Sequence, residues 1–128
     1  GVDMLLMEAG EALRVDRLSI ETGVEGVTRV LAHLGMVEAD DGLSAVGIPA
    51  RANRTTWVRA PRGGVMLTAR TSGDPVRKGE TLATVSGLLG EGGETMVSPV
   101  DGIIIGHATL PVVHQGDALF HIAEDEVV

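Results

Sequence analysis

Ile20, Val24, Val27, Leu31 and Leu34 are spaced by four, three, four and three residues, which lays one apolar stripe along a helix. Asp16 stands ahead of that helix as an N-cap, His33 falls in its last turn, and Gly35 just beyond supplies a C′ stop. Gly23 and Gly26 each cost the helix about 1 kcal/mol relative to alanine, which is tolerable if the backbone there lies close against something. Before the helix, Met4-Leu5-Leu6-Met7 is a continuous apolar run without alternation. Such a run predicts a strand covered on both faces, as in a parallel sheet flanked by helices. Strand and helix together read as the last βα step of an α/β domain whose remaining strands are missing from this sequence. The first residue is Gly1 rather than a methionine, which suggests a piece of something longer.

From Glu38 to Arg54 no period is sustained, and Asp40-Asp41-Gly42, Gly47 and Pro49 mark a linker or an irregular crossing. A duplicated pattern follows. Pro61-Arg62-Gly63-Gly64 leads into Val65-Met66-Leu67, and later comes Val76-Arg77-Lys78-Gly79-Glu80-Thr81-Leu82. Pro99-Val100-Asp101-Gly102 leads into Ile103-Ile104-Ile105, and later comes Val113-His114-Gln115-Gly116-Asp117-Ala118-Leu119. An internal repeat of this length dictates architecture. It predicts strands near Thr55–Ala60, Gly64–Thr71, Glu80–Ser86, Thr95–Ser98, Gly102–Ala108 and Ala118–Ala123. The span Gly87–Glu94 between the halves holds four glycines, suited to a hairpin tip. The expected organisation is a fragment of an α/β domain over residues 1–37, a linker over 38–54 and a β domain over 55–125, with a solvated tail at Glu124-Asp125-Glu126.

Composition narrows the function classes. The 128 residues support one real core with a small annex. There is no cysteine, so disulfides and thiolate metal sites are excluded and a reducing cytoplasm fits. A net charge of −8 argues against nucleic acid or an anionic membrane as partner, because both repel such a surface. The longest apolar runs are far too short to span a bilayer. A cytoplasmic location is expected.

The paired Pro-x-x-Gly and Val-x-x-Gly-acid-x-Leu halves resemble the barrel-sandwich hybrid of biotinyl and lipoyl domains. That resemblance implies two interlocked half-motifs in a flattened β sandwich. Such carriers hold their cofactor on a lysine in the hairpin between the halves. Here Lys78 is the sole lysine and Ser86–Met96 contains none, so neither biotin nor lipoate is expected; fold alone does not carry function.

Read together with Met4-Leu5-Leu6-Met7-Glu8-Ala9-Gly10-Glu11, the helix ending in Val30-Leu31-Ala32-His33-Leu34-Gly35-Met36 and the opening Trp57-Val58-Arg59-Ala60-Pro61, the chain resembles the C-terminal portion of the succinylglutamate desuccinylase and aspartoacylase family. These are zinc-dependent deacylases in which a carboxypeptidase-like domain ends in an apolar strand, a Glu-x-Gly motif and a helix, before a β domain. The resemblance implies hydrolysis of the amide of a small N-acylated amino acid. It implies that Glu8 is the general base that activates water at the zinc, a role suited to a partly desolvated carboxylate. The zinc ligands of the family, two histidines and a glutamate, lie upstream, and a His-x-x-Glu pair does not occur in this sequence. The fragment alone is therefore expected to be inactive. Aspartoacylases contribute a tyrosine to the pocket from this region, whereas this chain has none, which points to the broader bacterial branch.

Between Leu43 and Gly73 there is no acidic residue, yet Arg51, Arg54, Arg59, Arg62 and Arg70 fall there. Guanidinium groups bind carboxylates through paired hydrogen bonds, which makes Arg54, Arg59 and Arg62 candidates for substrate binding. The alternative is that these arginines face solvent and balance acidic neighbours. His107, His114 and His121 recur every seven residues but fall on a strand end, a turn and a strand, so they are read as surface polar residues and no metal is assigned to them. A competing reading is a non-catalytic biotinyl- or lipoyl-like binding or assembly module that meets a partner through Leu88, Leu89 and its strand edges. An unpaired Met4–Met7 strand could also draw copies together into a homo-oligomer.

Overall fold

In the computed structural model, which describes residues 1–38 and 51–124, helix α1 runs over Arg17–His33. Its ends follow from the capping chemistry. Asp16 is extended and takes both the hydroxyl and the backbone N–H of Ser19 on its carboxylate. Those two hydrogen bonds, the hydroxyl first, hold the Asp16 carboxyl below its usual range. At the other end Gly35 has φ +69°, its N–H reaches the Ala32 carbonyl at 3.0 Å and the Met36 N–H reaches Leu31 at 2.9 Å. That is a Schellman stop, which needs a left-handed residue at this position.

The expected strand over Met4–Met7 is not formed. The segment is irregular and its side chains are exposed. A strand exists only as a member of a ladder, and the described residues of this unit contain no other strand to pair with it. The helical stripe is likewise uncovered, with Ile20, Val24, Val27 and Leu34 exposed. Of the two helical glycines, Gly23 does face a neighbour, since a Cβ there would lie 3.5 Å from the Met7 sulfur, whereas Gly26 has open space. Most of the expected linker, residues 39–50, lies outside the described residues.

The chain divides into two units, Gly1–Ile48 and Pro49–Val128. Among the described residues of the second, the regular elements are all strands: β1 (Thr55–Arg59), β2 (Gly64–Thr68), β3 (Pro75–Val76), β4 (Thr81–Ser86), β5 (Glu94–Val97), β6 (Gly102–His107), β7 (Val112–Val113) and β8 (Ala118–Glu124). They form two antiparallel four-stranded sheets, in the orders β1-β8-β6-β3 and β5-β4-β2-β7. Adding four to each strand number, cyclically, turns the first order into the second. Each sheet therefore takes two strands from each half of the repeat. Six strands stand where the repeat predicts them; β3 and β7 are additional and only two residues long.

The duplication extends to detail. The ladder β1–β8 skips Leu119 between the pairs Val58–Phe120 and Arg59–Ala118, and β4–β5 skips Leu82 between Thr81–Val97 and Ala83–Met96. These matched bulges turn Leu82 and Leu119 inward beside Ala83 and Phe120, and all four are buried. The core contains Ala60, Met66, Val76, Leu82, Ala83 and Val85 from the first half, and Met96, Ile104, Val113, Leu119, Phe120 and Ile122 from the second. Burying such side chains stabilises a fold by about 1.5–3 kcal/mol each, and here that burial requires both halves.

The turns that close the sheets are also paired. Gly79 (φ +85°) and Gly116 (φ +89°) end equivalent turns. In the first, the Arg77 N–H donates to the Glu80 carboxylate at 2.9 Å; in the second, the His114 N–H donates to Asp117 at 2.7 Å. Each turn then docks on the other half, Gly79 N–H on the Ser98 carbonyl at 2.7 Å and Gly116 N–H on that of Ala60 at 2.9 Å. The Gly-acid pair of the repeat is thus a turn residue followed by its cap.

Candidate functional site

Glu8 sits in the exposed irregular segment ahead of α1, directly after Met7, whose sulfur approaches Gly23. The buried strand end on which its candidacy rested is absent here. Gly10, with φ +82°, turns the chain two residues later, and Arg14 pairs with Glu11 at 2.5 Å. Glu11 is thus engaged locally.

Arg54, Arg59, Arg62 and Arg70, singled out from the sequence, each bind a different element. Arg54 pairs with Glu124 at 3.7 Å, its side chain 80% exposed. Arg59 donates to the Gly116 carbonyl at 2.9 Å, bracing the second glycine turn. Arg62 donates to the Gly92 carbonyl at 2.6 Å and so ties the hairpin tip between β4 and β5 to the start of β2. Arg70 forms a two-nitrogen contact with Glu80. The Glu80 carboxyl is held below its usual range, first by the Arg77 N–H and then by Arg70, while Arg70 is raised by Glu80. Arg51 is exposed.

The three periodic histidines have three separate surroundings. His121 stacks on Trp57 with ring centroids 4.0 Å apart and planes at 10°. These two are register partners across β8 and β1, and the His121 Nε2 atom is buried without a hydrogen-bond partner. His114 lies 3.6 Å from the Asp117 carboxylate across its own turn. His107, at the end of β6, meets the loop of residues 71–74. Its Nδ1 stands 2.8 Å from the Ser72 hydroxyl and 3.3 Å from the Ser72 N–H.

The pairing of Ser72 with His107 is a contact that sequence reasoning missed. A hydroxyl beside an imidazole nitrogen is the arrangement of a base-assisted nucleophile. Here the local backbone donors are already taken: Ser72 N–H by His107, Thr71 N–H by Asp74 at 2.9 Å, and Gly73 N–H by Ile104 at 2.8 Å. With those donors occupied, a developing oxyanion has no prepared hole. The contact acts as a strut between loop and strand. The groove beside it is shallow and lined by Thr68, Ala69, Arg70, Thr71 and Asp74.

Among the described residues, no three His, Asp or Glu side chains come close enough to share a metal ion. No helix among the described residues is long and apolar enough to cross a membrane. The described residues thus hold Glu8 as one exposed carboxylate among several and gather no group of three that could hold a metal.

Neither family models nor curated proteins match this sequence. Solved structures do. A succinylglutamate desuccinylase/aspartoacylase from Rhodobacter sphaeroides is 26% identical, with a TM-score of 0.73 over 88% of this chain and 37% of its own. The ectoine utilization protein EutE (DoeB) from Ruegeria pomeroyi, solved with product bound, is 21% identical with a TM-score of 0.70, over 87% of this chain and 34% of its own. A succinylglutamate desuccinylase from a Silicibacter species is 18% identical with a TM-score of 0.70, over 88% and 35%. At the identities of the last two the likeness is one of fold. The chain spans about a third of the length of these proteins, as a C-terminal portion would.

Proposed function

We propose that this chain, whose fold matches about a third of the length of succinylglutamate desuccinylase/aspartoacylase structures, is the C-terminal portion of a zinc-dependent deacylase that hydrolyses the amide of a small N-acylated amino acid. The observation that carries the reading is the match to the Rhodobacter sphaeroides protein across 88% of the chain. In this reading residues 1–37 complete a catalytic α/β domain and residues 55–125 form a barrel-sandwich hybrid. The cyclic correspondence of the two strand orders and the matched bulges support that last assignment.

Glu8 is the general base. Its carboxylate takes a proton from the attacking water and returns it to the departing amine, a task that needs the carboxylate enclosed and held. The enclosure would come from the upstream part of the parent protein, which would also pair the Met4–Met7 segment and cover the stripe of α1. In this reading the zinc and its ligands belong to that part too. The β unit shapes access to the site, and Arg54, Arg59 and Arg62 give its surface a basic rim that draws an anionic substrate. The protein works in the cytoplasm, without biotin or lipoate.

The test is hydrolysis by the intact parent protein, assayed by release of free amine from a panel of N-acyl amino acids. Turnover that disappears with a zinc chelator and returns with added zinc supports the reading. An intact protein inactive on every member, or one whose turnover ignores the chelator, sinks it.

A further inference from the structure

The strand pairing divides unevenly between the halves. Only the ladders β2–β4 and β6–β8 lie within a half; β1–β8, β2–β7, β3–β6 and β4–β5 all join one half to the other. The buried core is drawn from both. Yet one connection links them covalently, the tip from Gly87 to Gly93 between β4 and β5. From these features we infer that the β unit can exchange halves with a second copy of this chain, β1–β4 of one copy closing on β5–β8 of the other. The hinge is Gly87–Gly93, and Arg62 keeps it closed.

Closed and exchanged forms differ at one place. Every ladder and core contact is the same in both, because the halves are complementary whichever chain supplies them. Only the hinge changes, which makes exchange a low-cost route to a dimer and hinge substitutions its trigger. The closed tip is held by a short inventory of contacts. Gly87 N–H donates to the Glu91 carbonyl and Gly90 N–H to that of Gly87, both at 2.9 Å; Leu89 N–H meets the Glu91 carboxylate at 3.0 Å. Arg62 fastens Gly92 at 2.6 Å. The closed tip also requires left-handed backbone at Gly90 (φ +84°) and Gly92 (φ +63°), and a Cβ on Gly92 would stand 2.6 Å from the Arg62 Nη1 atom. An extended hinge needs neither left-handed residue. Side chains at positions 90 and 92 therefore penalise the closed form and leave the exchanged one untouched. The tip also leaves Leu88 and Leu89 83% and 95% exposed, so their burial contributes little to holding it shut. This inference stands apart from the proposed enzymatic role.

The experiment uses the whole chain with Thr55→Cys and Ala123→Cys, register partners across the β1–β8 ladder. The natural sequence has no cysteine, so only this disulfide can form, and facing residues of adjacent strands are within its reach. With the natural hinge the disulfide closes within one chain, and the protein runs as a monomer on a non-reducing gel. Adding Gly90→Ala and Gly92→Ala should convert most of it to a covalent dimer that reverts on reduction. Arg62→Ala, which leaves the hinge backbone alone, should raise the dimer fraction severalfold at the same concentration and covers the case in which the double-alanine hinge fails to fold. Intrachain disulfide alone in the folded variants overturns the inference, as does a dimer in solution whose disulfides all lie within single chains.

Discussion

Gly64 and Gly102 occupy the same place in opposite sheets. A Cβ on Gly64 would overlap the carbonyl oxygen of Ser86, and one on Gly102 would overlap that of Ala123. Each glycine opens a central strand, β2 or β6, and lets a neighbouring strand, β4 or β8, pass too close for any side chain. Gly64→Ala and Gly102→Ala should each cost about 1–3 kcal/mol or more, since a backbone carbonyl must shift. Denaturant unfolding reads this directly, and two unequal losses, one near zero, would contradict the equivalence.

Gly79 and Gly116 test the other shared device. Both are left-handed and neither has an atom within 4 Å of a built Cβ, so alanine meets conformational strain without a clash. The expected loss is about 1–2 kcal/mol for either substitution. A Tm that stays unchanged in one of the two would show that its turn relaxes.

Glu80 ties the first turn to Arg70, and its carboxyl is depressed by the Arg77 N–H and then by Arg70. A carboxyl whose folded pKa is lowered contributes stability above its unfolded value, about 4.3 for glutamate, and loses it as pH falls through the folded value. Wild type should therefore exceed Glu80→Gln in Tm at neutral pH and converge with it in strong acid. A gap that stays constant with pH would place the contribution elsewhere than in ionisation.

If the zinc ligands lie upstream, as proposed, the isolated 128-residue chain should bind zinc poorly and hydrolyse no N-acyl amino acid. Elemental analysis after dialysis measures this. Stoichiometric zinc would overturn the assignment of the ligands to the upstream part.

Much of the β unit was legible because glycine and proline act locally. A left-handed turn at Gly79 or a close approach at Gly64 demands glycine, and the second half repeats the demand at Gly116 and Gly102. The caps of α1 were legible for the same reason. The strands β3 and β7 were not, since two residues are too few to show alternation. Met4–Met7 was misread because an apolar run reports a wish for burial and says nothing of a ladder partner. The arginines were opaque because their partners are distant in sequence: Gly116 lies 57 residues from Arg59, and Gly92 lies 30 from Arg62. Ser72 and His107, 35 residues apart, meet only once the strand pairing, including the register shift between Ile104 and Gly106, is known.

The central claim is that Glu8 belongs to the catalytic machinery of a deacylase whose ligands and sheet lie upstream. The most direct measurement is kcat of the intact parent protein carrying Glu8→Gln, with its zinc content determined in parallel. Loss of a positioned general base removes a factor of about 10²–10⁴ in turnover while leaving the metal in place. Near-normal kcat with full zinc would remove Glu8 from the mechanism and leave the chain with a structural role alone.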